Sequence, residues 1–131
     1  MDGRDIAAVL AAGATAAQLG TAFLCCDEAG TARAHREALR EGEEETVFTS
    51  AFSGRPARGM RNTFIDAMAD KSVLAFPQQN TLTGALRRWA ASAGDVGFQS
   101  VWAGTGRCKI RSMPAAQLMA TIERELSEAA I

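Results

Sequence analysis

Two stretches hold residues whose types and spacing could do chemistry. Gly20 and Thr21 end a short, nearly uncharged run, Ala16 to Leu19, which follows a helix pattern and a glycine. In α/β folds ligands sit outside the carboxyl ends of parallel strands, and a glycine there lets backbone N–H groups come close to a phosphate. Gly20 and Thr21 occupy such a place. A tight turn at Gly20, with Thr21 capping the next helix, accounts for the pair as well. The second stretch is Ser53 to Arg61, SGRPARGMR, with Arg55, Arg58 and Arg61 around Gly54, Pro56 and Gly59. Three planar guanidiniums on such a loop can clamp a carboxylate or phosphate. The competing use, commoner for surface arginines, is to tie the loop to helix C-termini and acidic side chains.

Other chemistries find no residues to carry them. His35 is the sole histidine, on a polar helix where exposure is expected, with no Cys or carboxylate at a metal-ligand spacing. That argues against a zinc site and against a Ser-His-Asp triad. The chain has no tyrosine. Cys25, Cys26 and Cys108 are odd in number, which favours reduced thiols and a cytoplasmic compartment.

The elements that must position these residues follow from periodicity. Asp2 stands as an N-cap before a helix over Arg4–Ala12, with Ile6, Val9 and Leu10 on its apolar face and Gly13 as its stop. Ala16 to Leu19 suits a strand buried on both faces. Ala32–Glu41 is expected to be an exposed helix, and the glutamates of Glu41 to Glu45 a solvated surface. Thr46 to Phe52, TVFTSAF, predicts a strand with Val47, Thr49 and Ala51 on one face and Phe48, Ser50 and Phe52 on the other. Helices are expected over Asn62–Asp70, burying Phe64, Ile65 and Met68, and over Gln78–Ala93, turning Leu82, Leu86, Trp89 and Ala93 to a core. Pro114 opens a last helix to Ala129, with Leu118, Ile122 and Leu126 on one face.

Composition sets the outer limits. With 131 residues, 47% of them hydrophobic, the chain can bury one small core. A net charge of −1 and pI of 5.8 give no pull towards nucleic acid or anionic lipid. No apolar run approaches the ~20 residues a bilayer crossing needs, so a soluble intracellular protein is expected.

Four blocks extend these readings: DGRDIAAVLAAGATAAQLGTAFL, AFSGRPARGMRN, PQQNTLTGALRRWAASAG and SVWAGTG, followed by PAAQLMATIERE. In this order they resemble the C-terminal portion of nitronate monooxygenases, formerly called 2-nitropropane dioxygenases, nearly end to end. The resemblance implies an FMN-dependent TIM-barrel oxidoreductase that converts alkyl nitronates and O2 to a carbonyl compound and nitrite. It places Gln18, Leu19, Gly20 and Thr21 on the flavin phosphate at the last barrel strand. The implied fold class is α/β, a partial TIM barrel plus a mostly helical α+β subdomain. Residues 1–30 would end the barrel, 31–98 form a smaller substrate-covering subdomain, and 99–131 pack back on the barrel.

The same resemblance shows what this chain does not supply. A TIM barrel needs roughly 200 to 250 residues, so the first seven strands have no counterpart here. The family's catalytic histidine lies upstream of the match, leaving no catalytic residue in this chain. Where the family usually has glutamine stands Thr105, whose shorter side chain puts any polar role there in doubt. Implied partners are a nitronate, O2, and either an N-terminal barrel half or a second copy of the chain. The alternatives are a non-catalytic split module and a flavin barrel of the enoyl-carrier-protein reductase type.

Overall fold

The computed structural model describes residues 1–41 and 44–129; Gly42 and Glu43, within the glutamate-rich run, lie outside the described residues, as do Ala130 and Ile131. The chain divides into two units, Met1–Thr31 with Gly106–Ile131, and Ala32–Thr105. Among the described residues no helix is long and apolar enough to cross a membrane.

In the first unit α1 (Gly3–Ala11) packs on α6 (Ala115–Ala129). Asp2 starts α1 as expected: its carboxylate accepts from Asp5 N–H while the Asp5 carboxylate accepts from Asp2 N–H, each at 3.0 Å. Gly13 stops it with φ 97°, and the N–H groups of Gly13 and Ala14 return to the carbonyls of Leu10 and Val9. Gly3 sits where α1 touches α6, and a Cβ there would come 2.6 Å from Ile122 O, against rigid backbone. Ile6, Cys26, Leu118 and Ile122 form the core, with Leu19, Phe23 and Leu126 packed around them. Glu125 then ties three segments, accepting from Gly3 N–H at 3.0 Å and from Arg111 Nη2 at 2.7 Å. Glu28 caps α6 by accepting from Ala115 N–H at 2.9 Å.

The strand expected at Ala16 to Leu19 is not formed. Side chains there alternate, Ala17 and Leu19 half-buried and Ala16 and Gln18 exposed, which is the period of an extended chain. Among the described residues, however, no second strand pairs with it, and a ladder needs a partner.

The second unit begins with α2 (Arg33–Glu41), anchored by buried Leu39, and holds the single described sheet. In it β1 (Thr46–Thr49) runs antiparallel to β2 (Ala57–Met60), with Phe48 opposite Arg58. A third segment lies along the far side of β2, where Met60 N–H donates to Val101 O at 2.9 Å and Ala103 N–H to Arg58 O at 3.2 Å. Phe52 is the centre of this core, its ring 4.7 Å from that of Phe64 and edge-on to Trp102 at 5.9 Å.

Several expectations are corrected here. The strand stops at Thr49, so Phe52 is buried while Phe48 is 69% exposed, and they do not share one buried face. The stretch read as an arginine loop contains β2. Gly54 at φ 81° turns the chain into it, and a Cβ there would strike the Phe76 backbone N at 2.7 Å. The Asn62–Asp70 helix is the shorter α3 (Thr63–Ala67), with Phe64, Ile65 and Met68 half-buried. The helix expected over Gln78–Ala93 breaks at Thr83 into α4 (Gln78–Leu82) and α5 (Gly84–Ala93).

The break has a polar cause. Beyond β1 the carbonyls of Ala51 and Phe52 enter the interior, where an unmet acceptor is costly. Gln79 Nε2 donates to Ala51 O and Thr83 Oγ1 to Phe52 O, each at 2.6 Å. These polar residues take the inward face with Ala90, which leaves Leu82 67% and Trp89 56% exposed.

Candidate functional site

The segment Gln18 to Thr21 leads from the α1 turn into a single 3-10 turn, Thr21–Phe23. Gln18 and Gly20 are exposed, while Leu19 faces the core. Gly20 has φ −115°, which any residue adopts, so the turn itself does not call for glycine. A Cβ on Gly20 would meet nothing within 4 Å. Among the described residues no backbone acceptor takes the Gly20 N–H. What glycine provides here is bare backbone, open on its outer side.

A basic turn adjoins it. Arg107–Lys109 packs against Thr21–Phe23. Lys109 is held by two acids, its Nζ 2.7 Å from Asp5 and 3.1 Å from Asp2. The Asp5 N–H, with Lys109 adding, lowers the Asp2 carboxyl to about 2, and Lys109 chiefly lowers that of Asp5. Glu28 is lowered by the Ala115 N–H and Glu125 by the Gly3 N–H, with Arg111 second. Composition gave no sign of this cluster, because its members are far apart in sequence. Cys108 in the same turn is an exposed free thiol, whereas Cys25 and Cys26 are buried.

In the second unit the three arginines have separate partners. The Arg55 guanidinium lies over the Phe76 ring at 4.3 Å and that of Arg58 over Phe48 at 4.1 Å. Arg58 also donates to Thr46 O at 3.0 Å, covering part of the open edge of β1. Arg61 pairs with Asp66 at 2.7 Å and Glu45 at 3.3 Å. It lines a 790 Å³ cavity whose wall also carries Glu44, Glu45, Asp66 and Asp95. Four carboxylates around one guanidinium oppose an anionic ligand.

His35 departs from expectation. It is half-buried with Nε2 3.2 Å from Trp102 O, and burial lowers its pKa. Among the described residues no group of three His, Cys, Asp or Glu could hold a metal ion.

A family model for nitronate monooxygenase matches residues 1–125. The chain is 44% identical to a nitronate monooxygenase of Paraburkholderia phytofirmans, over 98% of this chain and 36% of that protein. It is 42% identical to one of Pseudomonas aeruginosa, over 96% and 37%. A solved structure of nitroalkane oxidase from Streptomyces ansochromogenes has TM-score 0.94 at 46% identity, covering 98% of this chain and 38% of that one. FabK from Thermotoga maritima has TM-score 0.75 at 30% identity, over 97% and 42%. The chain thus spans little more than a third of the curated relatives it matches. The match takes in both units and the bare backbone at Gly20, and the chain belongs to the nitronate monooxygenase family.

Proposed function

We propose that this chain works as the C-terminal part of an FMN-dependent nitronate monooxygenase, acting on an alkyl nitronate and O2 to give a carbonyl compound and nitrite. The observation that carries this reading is the family likeness across both units. Likeness to nitroalkane oxidase exceeds that to FabK in sequence and in backbone, which favours a nitro compound as substrate.

Residues 1–30 would form the end of an FMN-binding barrel, 31–98 its substrate-covering subdomain, and 99–131 the segment that packs back on the barrel. The backbone of Gln18 to Thr21 would hold the flavin phosphate. The fit is supported by Gly20, whose N–H meets no backbone acceptor among the described residues and where a Cβ would meet no atom within 4 Å. Bound FMN supplies the electron transfer that links nitronate oxidation to reduction of oxygen. The protein's task is then position, electrostatics and exclusion of water. Arg55 and Arg58 hold their rings, while Arg61 faces a cavity whose acidic neighbours make it a structural residue first. Ala16 to Leu19 would gain strand partners from an N-terminal barrel half. The cytoplasm, where Cys108 stays reduced, is the setting this reading implies.

The test joins this chain to the N-terminal portion of the Pseudomonas aeruginosa relative and records flavin absorbance and nitrite release from a nitronate. The joined protein should be yellow and active, and the 131-residue chain alone neither. A missing general base by itself costs ~10²- to 10⁴-fold in rate. In the joined protein Gly20→Val should abolish flavin retention. Full retention returns Gly20 to a turn residue, and a chain that is yellow and active alone defeats the proposal.

A further inference from the structure

The sheet of the second unit has an open edge. Met60 N–H and Arg58 O are spent on Val101 and Ala103, so the bonds from β2 to β1 come from the alternate residues Ala57, Gly59 and Arg61, as the 2.9 Å bond from Arg61 N–H to Glu45 O shows. Across the ladder, Thr46 and Phe48 therefore turn their N–H and C=O groups outward. Arg58 takes the Thr46 carbonyl. The N–H and C=O of Phe48 find no backbone partner among the described residues, and an edge left open in this way is a template for another extended chain.

The edge forms one wall of a 400 Å³ groove. Four consecutive residues, Val47 to Ser50, line it, and because successive side chains point to opposite faces of a strand, such a run means that the backbone edge itself is the wall. Ile65, Met68 and Val73 supply apolar surface. The charged groups in the lining are Arg61, Asp66 and Lys71. Arg61 and Asp66 neutralise each other at 2.7 Å, whereas Lys71 is exposed and makes no ion pair among the described residues.

We infer that this groove takes a short, extended acidic segment of a partner protein, paired through its backbone to Phe48. An apolar side chain of that segment lies against Ile65 and Met68, and a carboxylate meets Lys71. Backbone pairing supplies the affinity, and the apolar wall and the free ammonium supply the choice of partner.

The experiment titrates the isotope-labelled full chain with an acetylated, amidated pentapeptide of alternating threonine and valine that ends in glutamate, and follows backbone amide shifts and hydrogen exchange. The Phe48 amide should shift and gain protection. N-methylation of the peptide backbone should weaken binding about 10-fold, as for a lost hydrogen bond. Glutamine in place of the glutamate should weaken it about 2- to 5-fold, as for an exposed ion pair. Lys71→Glu should reverse the preference, so that a peptide ending in lysine binds better than the acidic one, and that reversal also shows the variant to be folded. A Phe48 amide that does not respond, or an N-methylated peptide that binds equally well, overturns the strand pairing. An acidic preference that survives Lys71→Glu overturns the role of Lys71. Protection of the Phe48 amide before any peptide is added overturns the inference as well: if it grows with chain concentration the edge pairs with a second copy, and if it is confined to the joined protein the barrel half covers it.

Discussion

The two units solve the same problem of buried backbone in opposite ways. In Ala32–Thr105 the polar backbone that enters the interior is met from within: Gln79 and Thr83 serve the carbonyls after β1, Asn62 donates to Val96 O and Gln99 O, and Gln99 donates to Ala90 O. In the unit built from Met1–Thr31 and Gly106–Ile131 charged side chains do the joining, through Asp2, Asp5, Lys109, Glu28, Arg111 and Glu125. Its segment Ala16 to Leu19 has the alternation of a strand and no ladder. The difference teaches where a partner is wanted. On the reading proposed above, it is the unit with the unpaired extended segment that would take neighbouring strands and the flavin phosphate.

The largest effect should come from Phe52→Ala. The ring is 1% exposed and packs against Phe64 and Trp102, so its removal opens a cavity at the centre of the aromatic core. A loss of about 3–5 kcal/mol is expected. Trp89 and Trp102 both belong to this unit, so tryptophan fluorescence in urea reports it, while methyl resonances of Ile6 and Ile122 report the other. A shift in the methyl-monitored transition as large as the fluorescence one would break the contrast between the units.

Next is Gly3→Val, the counterpart in the charged unit. Its Cβ would run into the backbone of α6 at Ile122 and Leu126, and backbone cannot turn aside as a side chain can. Overpacking of this kind costs about 1–3 kcal/mol, and the Gly3 N–H to Glu125 bond is strained with it. Unchanged Ile122 methyl shifts and an unchanged urea midpoint would show that the helices separate at no cost.

How far the sequence announced all this depends on whether each signal was local. Asp2, Gly13 and the apolar stripe of α6 act within a few residues, and they appear where the sequence put them. The break at Thr83 and the burial of Gln79 were not legible, because the demand comes from carbonyls some 30 positions back. Hydrophobic spacing therefore pointed Leu82 and Trp89 the wrong way. β2 was hidden for a related reason: ARGM has no apolar alternation, and its strand character comes from pairing on both sides. The candidate site divides likewise. Gly20 stood out by local pattern and resemblance, whereas the neighbouring ion cluster is noticed only when Lys109 is seen beside Asp2 and Asp5.

Acid should distinguish the units more gently. Burial holds His35 below its ordinary value of 6.5, so the unfolded chain binds the proton first. The His35 contribution is then whole above pH 6.5 and is lost as pH falls below it. Asp2, Asp5, Glu28 and Glu125 are likewise lowered, from ordinary values of 3.8 for Asp and 4.5 for Glu. Their contribution persists to the carboxylate range and disappears as pH drops through it, to about 2 for Asp2. Between pH 7.5 and 5.5 the fluorescence-monitored midpoint should fall and the methyl-monitored one stay level. His35→Gln, which keeps an N–H donor, should flatten the former, and a slope that survives the substitution would place the titrating group elsewhere.

The smallest expected effect sharpens the comparison most. Gly20→Ala should leave the stability of this chain within about 0.5 kcal/mol of wild type, or raise it by up to about 1 kcal/mol, since alanine lowers the entropy of the unfolded chain. The reasons are local and observed: φ at Gly20 is −115°, and a Cβ there meets no atom within 4 Å. Gly54 is the control, because its φ of 81° and its contact with the Phe76 backbone make the same substitution costly. If Gly20 is bare for the sake of a ligand, the cost of covering it should be absent from urea unfolding and present in flavin binding by the joined protein. A clear loss of stability in the isolated chain would mean that the turn needs glycine after all, and would remove the ground on which Gln18 to Thr21 were assigned to a phosphate.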